Sequence, residues 1–210
     1  MYPAKVCEYP TTPKCRRVVW QSCLDWMAAN KTRACGVANW ELEWLQDLEA
    51  ANLTLPAVLQ TKFHLHQSFA SPRIKALKTY CDDRDIVFSG YSPIGRADWT
   101  RFNSTVGTPT LLSEPKVVEI ATRLRRSPAQ ILLRWHVKLG VPTQPRSMDA
   151  AHQKENMDVF DWDDDLTDDD VATLSNFPQC DAVRGDPFVA GDPEDKDHIY
   201  TGMIGPTPTC

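Results

Sequence analysis

The chain has 210 residues, of which 42% are hydrophobic and 24% charged. That is ordinary globular composition with enough apolar material for a core, so wholesale disorder is excluded. Lys plus Arg is 23 against 28 for Asp plus Glu, a net charge of −5, which excludes a general nucleic-acid binder with its basic surface.

The first predicted element is a helix over Cys15 to Asn30. Val18, Val19, Ser22, Cys23, Trp26 and Met27 recur at i, i+3, i+4 spacing and predict its buried face. A strand-like run follows from Arg33 to Ala38, then a helix from Glu41 to Ala51 on the stripe Leu42, Leu45 and Leu48. Pro56 introduces a second strand, Ala57 to Phe63. A helix starts near Pro72, a favoured first-turn residue, and carries Ile74, Leu77 and Cys81. The third strand, Ile86 to Tyr91, stops at Ser92-Pro93. Arg96 to Thr110 is polar and aperiodic, a long loop. Helices are then predicted from Glu114 to Arg125, and from Ser127-Pro128 to a stop at Gly140. A short, weak strand falls at Val141 to Gln144, and helices at Ala150 to Met157 and Asp168 to Leu174. Thr167 with Asp170 reads as a capping box. From Pro178 the chain is rich in Asp, Gly and Pro and reads as an irregular tail.

A helix followed by four alternating strand-helix units predicts an α/β protein with parallel strands. The strands read as continuous apolar runs, buried on both faces. No G-x-G-x-x-G or Walker loop occurs, so a closed or partial (β/α) barrel fits better than an open nucleotide-binding sheet.

The seven cysteines are scattered, odd in number and without a C-x-x-C pair, which predicts reduced thiols rather than a zinc site or a disulfide framework. The start lacks a signal-peptide apolar run, and no stretch approaches about 18 apolar residues. A cytoplasmic location without membrane contact is the expectation. His64 and His66 form an H-x-H pair without a convincingly spaced third ligand, so no metal site is expected. His136 reads as a surface residue of an amphipathic helix.

Six segments, in order, resemble the C-terminal half of the aldo-keto reductase family. They are Gly36-Val-Ala-Asn-Trp40, Leu59-Gln-Thr-Lys62 followed by His64, and Tyr91-Ser-Pro-Ile-Gly95. The others are Ser127-Pro-Ala-Gln-Ile-Leu-Leu-Arg-Trp135, Pro145-Arg-Ser147 and Glu155-Asn-Met-Asp-Val-Phe160. The resemblance implies a partial (β/α)8 TIM barrel: about four C-terminal βα units with extra helices. The corresponding division is an irregular segment at 1–13, the half-barrel at 14–177 and a tail at 178–210.

The resemblance also implies an NADP cradle for reduction of a small carbonyl compound. Asn39 and Gln60 would hydrogen-bond the nicotinamide carboxamide, and Tyr91 would stack on the ring. Ser92 and Ile94 would line the pyrophosphate passage. Arg146 and Ser147 would meet the adenosine 2′-phosphate, and Glu155 and Asn156 the adenine edge. Three positions depart from the family pattern. A family serine is Ala38, a lysine is Arg146, and an arginine is His152, whose charge an unperturbed imidazole mostly lacks near neutral pH. Ala38 removes one polar contact to the carboxamide and Arg146 keeps the charge, while His152 lowers the expected phosphate affinity and with it the preference for NADP over NAD.

The family reduces carbonyls with an Asp, a Tyr, a Lys and a His from the first half of its barrel. No segment here matches those motifs, so no catalytic residue is assigned and the isolated chain is expected to be inactive. Four strands also leave open edges. Three outcomes follow: pairing with a second copy or another half-barrel, a truncated gene model, or edges covered by the chain's own tails. A non-catalytic nucleotide-binding or structural subunit is the alternative reading.

Overall fold

The computed structural model describes residues 13–95, 110–160, 162 and 165–179. The expected loop at 96–109 and most of the tail beyond Pro178 lie outside these residues. The elements follow the predicted order: α1 Pro13–Ala28, β1 Gly36–Ala38, α2 Leu42–Ala50, β2 Val58–Lys62, α3 Pro72–Asp82 and β3 Val87–Tyr91. After a 3-10 turn at Leu111–Ser113 come α4 Pro115–Leu124, α5 Pro128–Lys138, α6 Ala150–Met157 and α7 Asp168–Ser175. The strands form a partial parallel sheet in the order β1-β2-β3, the arrangement of a partial barrel. The weak strand foreseen at 141–144 is reduced to one parallel bridge, Gly90 with Thr143.

The described residues group into two compact units, one of residues 13–59 and 79–87, the other of 60–78 and 88–179.

In the first unit, α1 buries a different face from the one its aliphatic residues suggest. Val18, Val19 and Trp26 are 38%, 51% and 53% exposed, whereas Arg16 and Trp20 are buried. The helical period is right and the phase is wrong. An aromatic cluster sets the phase: Trp20 lies 6.3 Å from Trp40, which lies 6.1 Å from Trp44. The Trp20 indole N–H donates to Thr54 O at 2.7 Å. The Arg16 guanidinium sits 4.4 Å over the Trp44 ring, a cation–π contact that burial of the alkyl stem reinforces.

The same unit corrects the reading of the cysteines as reduced thiols. Cys23 of α1 and Cys35, at the entry to β1, form a disulfide with Cα atoms 6.2 Å apart. Spacing could not show this, because the helix-to-strand turn is what brings the two within bridging distance. Cys81 remains a buried free thiol.

The second unit is built around α5. Its N-terminus carries a full capping box, Ser127 with Gln130, and α7 carries another, Thr167 with Asp170. Both satisfy backbone N–H groups that a helix start otherwise leaves unpaired. Trp135 is fully buried, stacks on Phe63 at 5.3 Å, and donates its indole N–H to Ser175 Oγ at 3.0 Å. His136 is not a surface residue: it is wholly buried. Two apolar neighbours, Leu132 and Trp135, would place it at the edge of the stripe, but packing against Phe63 closes that edge (ring centroids 5.4 Å). Residues 177–179 are anchored, with Gln179 Nε2 donating to Leu65 O at 3.0 Å and Gln179 Oε1 accepting from Ser68 N at 2.8 Å. No helix among the described residues is long and apolar enough to cross a membrane.

Candidate functional site

A parallel strand turns its side chains alternately, and β2 does so along its length. Leu59 and Thr61 are buried, while Val58, Gln60 and Lys62 occupy the half-exposed face. Gln60 Nε2 donates to Gln144 Oε1 at 2.6 Å. Gln144 belongs to the segment that docks beside β3.

That docking is specific. Gly90 N donates to Pro142 O at 2.8 Å, Thr143 Oγ1 donates to Gly90 O at 2.9 Å, and Ser89 Oγ donates to Pro142 O at 3.1 Å. Any side chain at Gly90 would bring its Cβ within 3.0 Å of Phe63 Cβ. The glycine therefore sets how closely the pieces approach. Pairing in parallel register carries both segments toward the same end. Tyr91, Ser92 and Ile94 emerge from β3 there, and Arg146 and Ser147 emerge from the docked segment.

The turn after β3 is tight. Ser92 has φ 55°, in the left-handed region that non-glycine residues rarely occupy, and its carbonyl accepts from Gly95 N at 2.9 Å. Gly95 has φ +67°, and a Cβ there would meet Leu111 Cδ1 at 2.8 Å. In the first unit, Asn39 has φ 58° directly after β1. The other four non-glycine residues of positive φ, Asn30, Asn52, Asp85 and Arg125, close helices. Asn39 and Ser92 alone among the described residues place this conformation at strand C-termini, where barrel sites are built.

The segment leading into α6 completes the site. Arg146 is exposed and Ser147 half-buried. Ser147 Oγ accepts from Asp149 N at 3.1 Å, and Ser147 O accepts from Gln153 Nε2 at 2.9 Å. Asp149 caps α6, its Oδ1 accepting from His152 N at 3.0 Å. The backbone N–H groups of His152 and Ala151 hold its carboxyl below the usual range. Glu155 Oε2 accepts from Ser127 Oγ at 2.8 Å, so this carboxylate ties α6 to the start of α5. Asn156 is half-buried beside it.

In the second unit Tyr91, Ser92 and Ile94 follow β3, Arg146 and Ser147 follow the segment paired with it, and Gln60 lies within β2 against Gln144. Glu155 is turned to Ser127, and in the first unit Asn39 directly follows β1. Sequence reading passed over two residues. Gln144 carried no signal beyond a weak strand. Asp149 carried one, an Asp directly before the helical run Ala150-Ala151.

This donor set suits most of a nicotinamide dinucleotide. The Gln60 amide offers a donor and an acceptor such as a carboxamide needs, and Arg146 with Ser147 offers a cation and a hydroxyl such as a phosphate needs. The one element that does not suit it is the ionised carboxylate of Asp149, which opposes an additional phosphate.

Comparison with known proteins identifies the class. The profile of the Aldo/keto reductase family matches residues 9–177, and the chain belongs to that family. It is 34% identical over 147 residues to an uncharacterized oxidoreductase of Caenorhabditis elegans, covering 69% of this chain and 39% of that one. It is 34% identical over 143 residues to aldo-keto reductase family 1 member A1 of Bos taurus, covering 68% and 42%. The crystal structure of an aldo-keto reductase (AKR2E5) complexed with NADPH superposes with a TM-score of 0.66 and 26% identity, covering 80% of this chain and 49% of that one. The chain therefore spans about half the length of the relatives it matches.

Proposed function

We propose that this chain supplies the cofactor-binding half of an aldo-keto reductase site. It holds NADP(H) at the C-terminal ends of its strands for reduction of an aldehyde or ketone of low molecular weight. Bound NADPH would supply the hydride. Gln60, oriented by Gln144, would hold the carboxamide, and Tyr91 would cover one ring face. Ser92 and Ile94 would shape the pyrophosphate passage, Arg146 and Ser147 would bind the adenosine end, and Glu155 and Asn156 would border the adenine. The observation that carries this reading is the parallel pairing of Gly90 with Thr143, which brings the Tyr91 and Arg146 loops to one end. An NADPH-complexed relative of the same fold supports it.

Protonation of the developing alkoxide needs a positioned acid, worth typically 10²–10⁴-fold. No segment of the sequence matches the family's acid motif, so the isolated 210-residue chain is expected to bind without turnover. Titration of NADPH followed by tryptophan fluorescence, with a parallel aldehyde assay, tests both parts. Quenching without NADPH oxidation is the expected result. Steady oxidation would overturn the inactivity, and absence of quenching would overturn the cradle.

A second reading, that the chain works as a subunit paired with another copy or another half-barrel, is favoured by the exposed Val18, Val19 and Trp26 on α1. Nucleic acid and membrane play no part in either reading. The Cys23–Cys35 disulfide is of the kind that persists in oxidising compartments, which opposes a cytoplasmic location. Imaging of the tagged protein in its native cell decides between them.

A further inference from the structure

We propose that Asp149 removes the cradle's preference for a 2′-phosphate, so that NADH binds about as well as NADPH. This rests on the reading that Arg146 and Ser147 face the adenosine ribose.

The geometry is local and connected. Ser147 Oγ lies 3.1 Å from Asp149 N, so a group held by the Ser147 hydroxyl sits beside the first turn of α6. A helix start welcomes an anion because its N–H groups are unpaired and its dipole end is positive. Here that role is already taken. Asp149 Oδ1 accepts from His152 N at 3.0 Å, so the carboxylate covers the donors an incoming phosphate would use. The Ser147 hydroxyl accepts from Asp149 N, which leaves its own O–H to donate to the ribose side.

The surrounding charge does not compensate. Arg146 is exposed and supplies one cation. Lys154 stands in the last turn of the helix, away from its start. Coulomb repulsion between a doubly charged phosphate and a neighbouring carboxylate in water disfavours binding by roughly tenfold. A ribose 2′-hydroxyl meets the same carboxylate differently, because it can donate a hydrogen bond to it. Asp149 therefore penalises NADPH and assists NADH.

The test uses the full chain and needs no turnover. NADPH and NADH are titrated separately into the unaltered protein and into Asp149→Asn, following tryptophan fluorescence. Asparagine caps a helix about as well as aspartate, so the fold is kept, and thermal melts verify it. In the unaltered protein the two affinities should agree within about threefold, and in Asp149→Asn NADPH should tighten by roughly tenfold while NADH stays level or weakens. Binding with a strong NADPH preference in the unaltered protein would overturn the role of Asp149 and leave the cradle standing. So would a variant that shifts neither dinucleotide, or both equally. Absence of binding by either dinucleotide to either protein would take down the cradle and this proposal together.

Discussion

His136 has a backbone carbonyl at each ring nitrogen: Leu132 O lies 2.9 Å from Nδ1 and Phe63 O lies 3.1 Å from Nε2. A neutral imidazole has one N–H, so only one of these carbonyls receives a hydrogen at a time. Burial holds the ring's pKa below its ordinary value, against the pull of the two carbonyls. His64 is pushed down further, to about 3, first by burial and then by Lys62, His66 and His136. Its Nδ1 is shut from solvent and has no hydrogen-bond partner among the described residues. Both rings are neutral in the folded chain and take up a proton on unfolding below about pH 6.5. Stability therefore falls as pH drops through that value. Between pH 7 and pH 5 the loss from His64 should be about 2 kcal/mol, measurable by urea unfolding at the two pH values. His64→Leu should flatten that slope, and a chain that gains stability on acidification would contradict this account. At the same scale, the sequence showed which side chains suit an amide or a phosphate. It did not show that Gln60 would be held by Gln144, because the two are 84 positions apart.

Helix ends were the most legible elements. Ser127 and Thr167 cap as their local sequences imply, since a capping box is closed within four residues. Ser127 has a second role that no local pattern shows, its hydroxyl reaching Glu155 at 2.8 Å. Ser127→Ala should cost about 1 kcal/mol or more in thermal or urea unfolding, because it removes the cap and strips a partner from Glu155. The phase of α1 was not legible. Its aliphatic stripe is continuous in sequence, yet the Trp20–Trp40–Trp44 cluster decides which side faces inward. The Cys23–Cys35 bridge, closing a separation of 12 residues, should stabilise the chain by about 3 kcal/mol. A melt of Cys23→Ser beside the unaltered protein, both without reductant, should show the difference, and equal melting temperatures would contradict it.

On the scale of the molecule, a partial parallel sheet has edges, and α1 exposes the apolar side chains Val18, Val19 and Trp26. Sedimentation of the purified chain should show a concentration-dependent species larger than a monomer. Trp26→Lys and Val19→Lys should shift it toward monomer without lowering the melting temperature, since neither side chain is buried. A monomer at all concentrations would remove the subunit reading. Family and fold class were set by the sequence alone, through alternating periodicity and six motifs in order, because period and local turn chemistry are properties of neighbouring residues. Tertiary structure decided which face of α1 is buried, which cysteines meet and why His136 is inside. Each of these depends on groups brought together by packing, and the hydrophobic pattern of a single element does not encode it.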